Sequence, residues 1–147
     1  MSSFTAARWE PTGEKSEGRP VYAIRGEAGD GFRFYIGFKG STLSVHVPEG
    51  FLTDGPSIPG FVRWAIPKSV IEACLKSSAV HDLLCEDPRF TRLAADAIFL
   101  TAMEAEGTPP FWREVFFRAV RTNDSKARRN PDEIVLPALS APECKSL

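Results

Sequence analysis

Hydrophobic and polar positions alternate through much of the first half of the chain, a pattern typical of half-buried β-strands. The clearest alternation lies over 32–38, where aromatic and aliphatic residues occupy every second position. A second alternation covers 43–47, and a third candidate strand covers 21–25. The polar segment 12–19 is predicted to be a loop. Because the candidate strands are close in sequence, they predict an antiparallel meander.

After residue 57 the apolar spacing changes to three or four residues, which predicts helices. The predicted helices cover 58–66, 69–86, 92–106 and 110–121. Ser69 and Thr91 are predicted as N-caps, and Gly107 is predicted as a C-cap. Strands first and helices later indicate an α+β fold, with an N-terminal antiparallel β meander followed by three to four helices.

The 147 residues predict a single α+β domain over 1–122, followed by a polar C-terminal tail over 123–147. Hydrophobic residues make up 43% and charged residues 25%, the balance of an ordinary globular protein. The net charge of −1 gives no reason to expect a nucleic-acid partner.

Basic residues nevertheless cluster late in the chain: Arg113, Arg118, Arg121, Lys126, Arg128 and Arg129. A solvated helix face and tail is the favoured interpretation of this cluster, and a phosphate- or partner-binding patch is the alternative.

No apolar run approaches the roughly 18 residues that span a bilayer, so we expect no membrane span. The first residues lack the basic and apolar regions of a signal peptide, which predicts synthesis in the cytoplasm. The odd number of cysteines argues against a disulfide framework. Cys74 and Cys85 are therefore predicted to be buried thiols.

Two polar residues interrupt the apolar stripes of adjacent predicted helices. His81 lies on the stripe that includes Cys74 and Cys85, and Asp96 lies on the stripe of Leu93 and Leu100. A carboxylate that accepts from one ring nitrogen of a histidine fixes its tautomer and orients the other nitrogen, as in general-base hydrolases. A buried pair of this kind can also simply link two helices, which is the favoured interpretation.

The turn-rich loop over 51–59 carries Asp54 and Ser57, and Asp82 lies about 100° around the helix from His81. Carboxylates and kinked carbonyls are ligands that calcium accepts, so Asp54 and Asp82 are candidate ligands of calcium or another divalent metal. Ser57 joins His81 and Asp96 as a candidate catalytic residue. Alternatively, Asp54 belongs to a turn and Ser57 caps the following helix.

Aromatic residues elsewhere are mostly predicted to be structural. Trp64 is predicted to belong to the core together with Phe61 and Ile66. The last helix is apolar on more than one face, which indicates either ordinary core or an exposed patch for self-association. His46, on the polar face of a strand, is predicted to be solvated.

Several of these segments occur together in one known family. The segment 51–59 (FLTDGPSIP), Trp64, the segment 79–82 (AVHD), the segment 95–99 (ADAIF) and Met103 resemble a bacteriophage and prophage family known as domain of unknown function thirteen fifty-three. The resemblance covers roughly 45–121. It implies a phage or prophage origin and no established reaction. Leu83, Leu84 and Cys85 follow the His-Asp pair, where that family usually carries aromatic residues.

A looser similarity is to the secreted and bacterial phospholipases A2. Those enzymes place His-Asp on one helix, an Asp on a second helix, and calcium in a Gly-rich loop. This similarity implies that His81 activates water and Asp96 orients it, while Asp82 and the loop over 51–57 hold calcium. The disulfide cysteines of those enzymes are absent from this chain.

Three functions stay open, and whether the chain is an enzyme stays open with them. The first is a small metal-assisted hydrolase with a His/Asp site. The second is a structural component of a phage head or tail, in contact with other phage proteins or with itself. The third is an accessory protein that binds a host protein. The corresponding locations are the host cytoplasm and the phage particle.

Overall fold

A computed structural model describes residues 1–56, 58 and 60–122 of the chain. Within these residues, antiparallel strands precede helices, which confirms the predicted α+β class. The strands are β1 Ser3–Phe4, β2 Ala7–Ser16, β3 Arg19–Gly26, β4 Phe32–Tyr35, β5 Ser44–Val47 and β6 Leu52–Thr53. The helices are α1 Gly60–Arg63, α2 Lys68–Glu72, α3 Leu75–Glu86, α4 Arg92–Glu106 and α5 Pro110–Thr122. The predicted tail over 123–147 lies outside the described residues.

The strands form two three-stranded antiparallel sheets, with the orders β1-β4-β5 and β2-β3-β6. The predicted alternation is confirmed in β4, where Phe32 and Phe34 are buried and Arg33 is exposed. Across the hairpin, Phe32 faces Val47 and Phe34 faces Val45, so the buried side chains of both strands share one face.

The prediction of a loop over 12–19 is wrong. β2 continues to Ser16 and pairs with β3 as far as Arg19, with an irregularity between Pro11 and Lys15. Most side chains of this arm are exposed, so they carry no apolar alternation. Backbone pairing between the two strands, rather than burial, forms this part of the sheet.

The helix predicted over 69–86 is broken, so five helices occur in the described residues where three to four were expected. α2 ends at Glu72 and α3 begins at Leu75. The predicted Ser69 N-cap is wrong, because Pro67 occupies the cap position of α2 and Ser69 lies inside the helix.

Residues at the end of α4 and just after it stabilise the break. The hydroxyl of Thr108 donates to the carbonyl oxygen of Ala73 at 2.7 Å. The carboxylate of Glu106 accepts from the backbone N–H groups of Lys76 and Ser77 at 2.9 and 2.8 Å, and from the Ser77 hydroxyl. Glu106 therefore satisfies N–H groups that the first turn of α3 leaves without helical partners. Burial raises the pKa of this carboxyl, and the hydrogen bonds from Ser77 and Lys76 oppose that rise.

The predicted caps of α4 are confirmed. The Thr91 side chain accepts from the backbone N–H of Ala94 at 3.1 Å. Gly107 follows the helix with a φ of 89°, in the left-handed region that glycine adopts without a steric penalty.

The apolar residues of the described chain pack into two clusters. The first lies between the strands and helices α3 and α4, and contains Ile24, Phe32, Phe34, Val45, Val47, Ala79, Val80, Leu84, Cys85, Ala95 and Ala102. The second contains Ile58, Ile66, Val70, Cys74, Phe99, Met103, Phe116 and Val120, from the segment before α1 through α5. Most of the last helix's apolar surface therefore faces core, although Phe111 is exposed.

The prediction that Trp64 belongs to the core is wrong. Trp64 is 86% exposed and Phe61 is 79% exposed, whereas Ile66 is buried as expected. α1 is a single turn, and Ile58 and Ile66 on either side of it take the positions that face the core. The indole N–H of Trp64 donates to the carbonyl of Phe61 at 2.8 Å, so the ring lies along the helix surface.

Cys74 and Cys85 are buried free thiols, as predicted. Burial raises the pKa of both thiols, that of Cys85 to about 12, so they remain protonated and act as small apolar residues. None of the helices in the described residues is both long enough and apolar enough to cross a bilayer.

Candidate functional site

His81, Asp96 and Arg121 meet between three helices. The Nε2 of His81 in α3 lies 2.7 Å from one carboxylate oxygen of Asp96 in α4. The guanidinium of Arg121 in α5 donates to the other oxygen at 3.0 Å. Asp96 is fully buried, and 7% of the His81 side chain is exposed. The contact between His81 and Asp96 that the apolar stripes predicted is therefore present.

The helical repeat explains why these residues meet. Asp96 precedes Phe99 and Met103 on the buried stripe of α4, and His81 lies one turn before Cys85 on α3. The His81 ring packs on Phe99 with 4.8 Å between ring centroids, and its Nε2 lies 3.6 Å from the Cys85 sulfur. Apolar packing thus holds the imidazole against the carboxylate.

The contacts of His81 favour a structural link. A general base needs a ring nitrogen within reach of water or substrate. Nε2 of His81 is committed to Asp96, and the sulfur of Cys85 lies 4.0 Å from Nδ1. The ring is almost entirely removed from solvent. The pair is well placed to join α3 to α4, while its predicted catalytic role remains a prediction.

The interpretation of the basic cluster as a solvated face holds for Arg118, whose side chain is 76% exposed, and is wrong for Arg121. Arg121 is partly buried because it neutralises Asp96. Arg113 is also largely buried and lies 3.5 Å from Glu104. The other members, Lys126, Arg128 and Arg129, lie outside the described residues.

A second polar cluster lies where β6 meets α3. The Thr53 hydroxyl donates to the Asp82 carboxylate at 3.1 Å and accepts from the backbone N–H of Gly55 at 3.2 Å. Asp54 forms an ion pair with Arg19 at 2.9 Å. His81 and Asp82 therefore point to different neighbours, although they are adjacent in sequence.

Asp82 is the carboxyl in this cluster with a strongly altered acidity. Burial raises the pKa of Asp82 to about 7, and the negative charge of Asp54 adds to the rise. The hydrogen bond from Thr53 and the charge of Arg19 oppose it. Asp54 and Asp82 thus share one electrostatic neighbourhood, as the metal hypothesis requires.

Within the described part of the chain, no three His, Cys, Asp or Glu residues come together in an arrangement that could hold a metal ion. The predicted pair of Asp54 and Asp82 supplies two carboxylates, one of which already binds Arg19. Ser57, the third predicted catalytic residue, lies outside the described residues. Calcium or another divalent ion at this pair stays a prediction.

Sequence reasoning missed the contributions of Arg121, Arg19 and Thr53. A usable signal existed for Arg121, because it follows Phe117 by four residues and therefore shares a helix face with an apolar residue. For Arg19 and Thr53 there was no comparable signal, since their contacts depend on how β3 and β6 pair.

The described residues define an α+β protein in which a His–Asp–Arg cluster around a buried carboxylate joins helices α3, α4 and α5. Residues 34–120 match the family model described as Protein of unknown function (DUF1353), and the chain belongs to that family. The matched segment contains Asp54, His81, Asp82 and Asp96, and it ends one residue before Arg121. No curated protein and no solved structure matches the chain.

The buried cluster predicts a large loss of stability when its carboxylate is removed. We expect Asp96→Ala to lower the free energy of unfolding by about 3 to 5 kcal/mol, because His81 and Arg121 would lose their shared acceptor. Urea denaturation followed by circular dichroism measures the change. Asp30→Ala, at an exposed loop position, serves as the control and should cost under about 0.5 kcal/mol. Equal losses in the two variants would contradict a structural role for the cluster.

The altered acidity of Asp82 predicts a pH dependence of stability. The pKa of Asp82 in the folded state is raised above its value of 3.8 in the unfolded chain. The folded state therefore binds a proton at Asp82 more tightly than the unfolded state does. The contribution of this proton to the free energy of unfolding is complete below about pH 4 and is lost as the pH rises through about 7. Asp82→Asn should remove about 1 to 2 kcal/mol of the difference in unfolding free energy between pH 5 and pH 8.

Urea unfolding at several pH values tests this expectation. The variant keeps an oxygen that accepts from Thr53, and Asp30→Asn controls for removal of an exposed carboxylate. A pH profile of Asp82→Asn that superimposes on the wild-type profile would show that Asp82 does not titrate in this range.

Proposed function

We propose that the chain is a non-catalytic structural component of a bacteriophage or prophage particle. The observation that carries the proposal is the use of both Asp96 carboxylate oxygens inside the protein, one by His81 and one by Arg121. A site for substrate chemistry generally keeps a polar group available in a cleft. This cluster instead satisfies its own groups and joins three helices.

The phage or prophage context rests on the motif resemblance described above, chiefly the segments 51–59, 79–82 and 95–99. Membership in a family of unknown function is compatible with this context and adds no reaction.

An exposed aromatic pair supports contacts with neighbouring proteins. Phe61 in α1 and Trp64, the residue directly after α1, are three residues apart and project into solvent. Tryptophan and other aromatic residues are enriched at the centres of protein interfaces, because they bury a large apolar area with few rotatable bonds. Within a particle, this pair would lie against another particle protein.

The particle hypothesis predicts that the aromatic pair is needed for assembly and not for folding. We expect the wild-type chain to co-sediment with particles from an induced lysogen that carries its gene. Substitution of both Phe61 and Trp64 by alanine should reduce incorporation at least about tenfold, since loss of an interface anchor typically costs 2 kcal/mol or more. Mass spectrometry of gradient-purified particles measures incorporation.

Phe38→Ala is the matched control, because Phe38 is 65% exposed and lies between β4 and β5, away in sequence from the aromatic pair. Its incorporation should equal that of the wild type. Absence of the wild-type chain from purified particles would refute the structural proposal, and so would full incorporation of the doubly substituted chain.

A second candidate is a small metal-assisted hydrolase centred on Asp82 and Asp54 rather than on His81. The half-buried Asp82 favours it, because a carboxyl with a pKa of about 7 can exchange protons near neutral pH. The neighbouring Asp54 offers a second oxygen donor for a hard cation such as calcium.

Activity assays separate the two candidates. The structural proposal predicts no hydrolysis of phospholipid, ester or peptidoglycan substrates by the purified protein, with or without calcium. Calcium-dependent hydrolysis that Asp82→Asn lowers at least about 100-fold would establish the second candidate. Asp30→Asn should leave any such activity unchanged. Hydrolysis that both variants retain would point to a contaminant.

A further inference from the structure

A surface cavity of about 310 Å³ lies beside the outward face of the β1-β4-β5 sheet. Arg33 and Tyr35 are two residues apart in β4, and His46 in β5 is the cross-strand partner of Arg33. These three side chains therefore share the face opposite to the buried one. The loop over 27–31 and the segment at Thr5 complete the lining.

Hydrogen bonds fix the loop over 27–31 in place. The Glu49 carboxylate accepts from the backbone N–H groups of Gly26 and Gly31 at 2.8 and 2.9 Å. These hydrogen bonds lower the pKa of Glu49 and favour its charged form, although burial opposes the shift. Gly31 has a φ of 83°, and a Cβ there would lie 2.0 Å from the carbonyl oxygen of Val47. Only glycine allows the loop to sit this close to β5.

The other sides of the cavity are also anchored. The Nε2 of His46 lies 2.6 Å from the carbonyl oxygen of Asp30, so that nitrogen carries the donated proton. The backbone N–H of Thr5 donates to the carbonyl of Arg33, and the Thr5 hydroxyl accepts from the N–H of Arg33, both at 2.9 Å. The cavity is thus preformed, which reduces the entropy that a ligand must offset on binding.

Three polar side chains that line the cavity have no partner among the described residues. Within the described part of the chain, the side chains of Glu27, Arg33 and Tyr35 make no hydrogen bond or ion pair. Glu27 and Arg33 carry opposite charges and line the same cavity, yet they are not paired with each other. Fixed walls that present unpaired groups of both signs are typical of a site for a small polar ligand.

We propose that this cavity binds a small zwitterion that carries a carboxylate and an ammonium group, the class of free amino acids and dipeptides. Arg33 pairs with the carboxylate, for which a guanidinium provides two parallel donors. Glu27 pairs with the ammonium group, and the ring of Tyr35 covers the apolar part of the ligand. The volume suits a small ligand, since it lies at the lower end of the range for small-molecule sites.

This site is independent of the buried helix cluster. The family match begins at residue 34, so Glu27 and Arg33 lie outside it, whereas Tyr35 and His46 lie inside.

Nuclear magnetic resonance of the full ¹⁵N-labelled chain tests the proposal. The probes are the free L-amino acids and alanyl-alanine, each with its N-acetyl and C-terminal amide derivatives, at concentrations up to the order of 10 mM. We expect at least one free probe to shift the backbone signals of Thr5, Gly31 and Tyr35. Its N-acetyl and amide derivatives should each bind about tenfold more weakly, because each lacks one charged group.

Variants then assign each charge to its partner. Arg33→Gln should lower the affinity for the free probe about tenfold and leave the affinity for the amide derivative unchanged. Glu27→Gln should lower the affinity for the free probe by a similar factor and leave the affinity for the N-acetyl derivative unchanged. Arg118→Gln and Glu14→Gln, at exposed positions outside the cavity, are the matched controls and should bind like the wild type.

Three results would overturn the proposal: no probe shifts these signals, the shifts fall only outside the cavity, or the Arg33 and Glu27 variants bind every probe as tightly as the wild type. Both substitutions replace solvent-accessible side chains, so the variants should fold, and unchanged signals elsewhere in their spectra verify this.

Discussion

The helical half of the protein depends on the compensation of one buried carboxylate. Asp96 belongs to α4 and its side chain is fully buried in the protein, where an unpaired charge would cost several kcal/mol. Its partners come from two other helices, His81 in α3 and Arg121 in α5. The position of each helix is therefore tied to the other two. Arg92, also in α4, donates to the carbonyl of Arg121 at 2.7 Å and joins the end of α5 to the same region.

The helical repeat separates the two polar clusters that the sequence brings together. His81 and Asp82 are consecutive, yet about 100° of rotation directs one to Asp96 and the other to Thr53. The first residue enters an interior that is closed by apolar packing. The second meets the loop after β6, where Asp54 and Arg19 add charges of both signs. His81 and Asp82 thus lie in two environments with different access to water. Their being adjacent in one motif is therefore no evidence that they share a role.

Local periodicity predicted α4, α5, most of strands β3 to β5 and one of the important contacts. Non-local contacts decided the rest. The pairing of His81 with Asp96 was predictable because both interrupt apolar stripes on adjacent helices. Arg121 shares a helix face with the apolar residue Phe117, which was a usable signal, but its contact with Asp96 depends on how α5 packs against α4. The break before α3 is stabilised by Glu106, about thirty residues away. The prediction for Trp64 was wrong because apolar character alone does not tell which side of a short helix and the turn after it meets the core.

The polar groups of the helical cluster are paired with one another, whereas those at the cavity beside the sheet are not. This contrast indicates where a ligand-binding site should be sought. In the helical cluster, the carboxylate of Asp96 is shared between two partners and removed from water, so a ligand would have to displace strong internal contacts. At the cavity beside the sheet, Arg33 of β4 and Glu27 of the adjoining loop stay unpaired within the described residues, while hydrogen bonds hold the surrounding backbone. A ligand there would form new ion pairs without breaking internal ones. This contrast supports a stabilising role for the histidine cluster, and it supports the ligand site proposed beside the sheet.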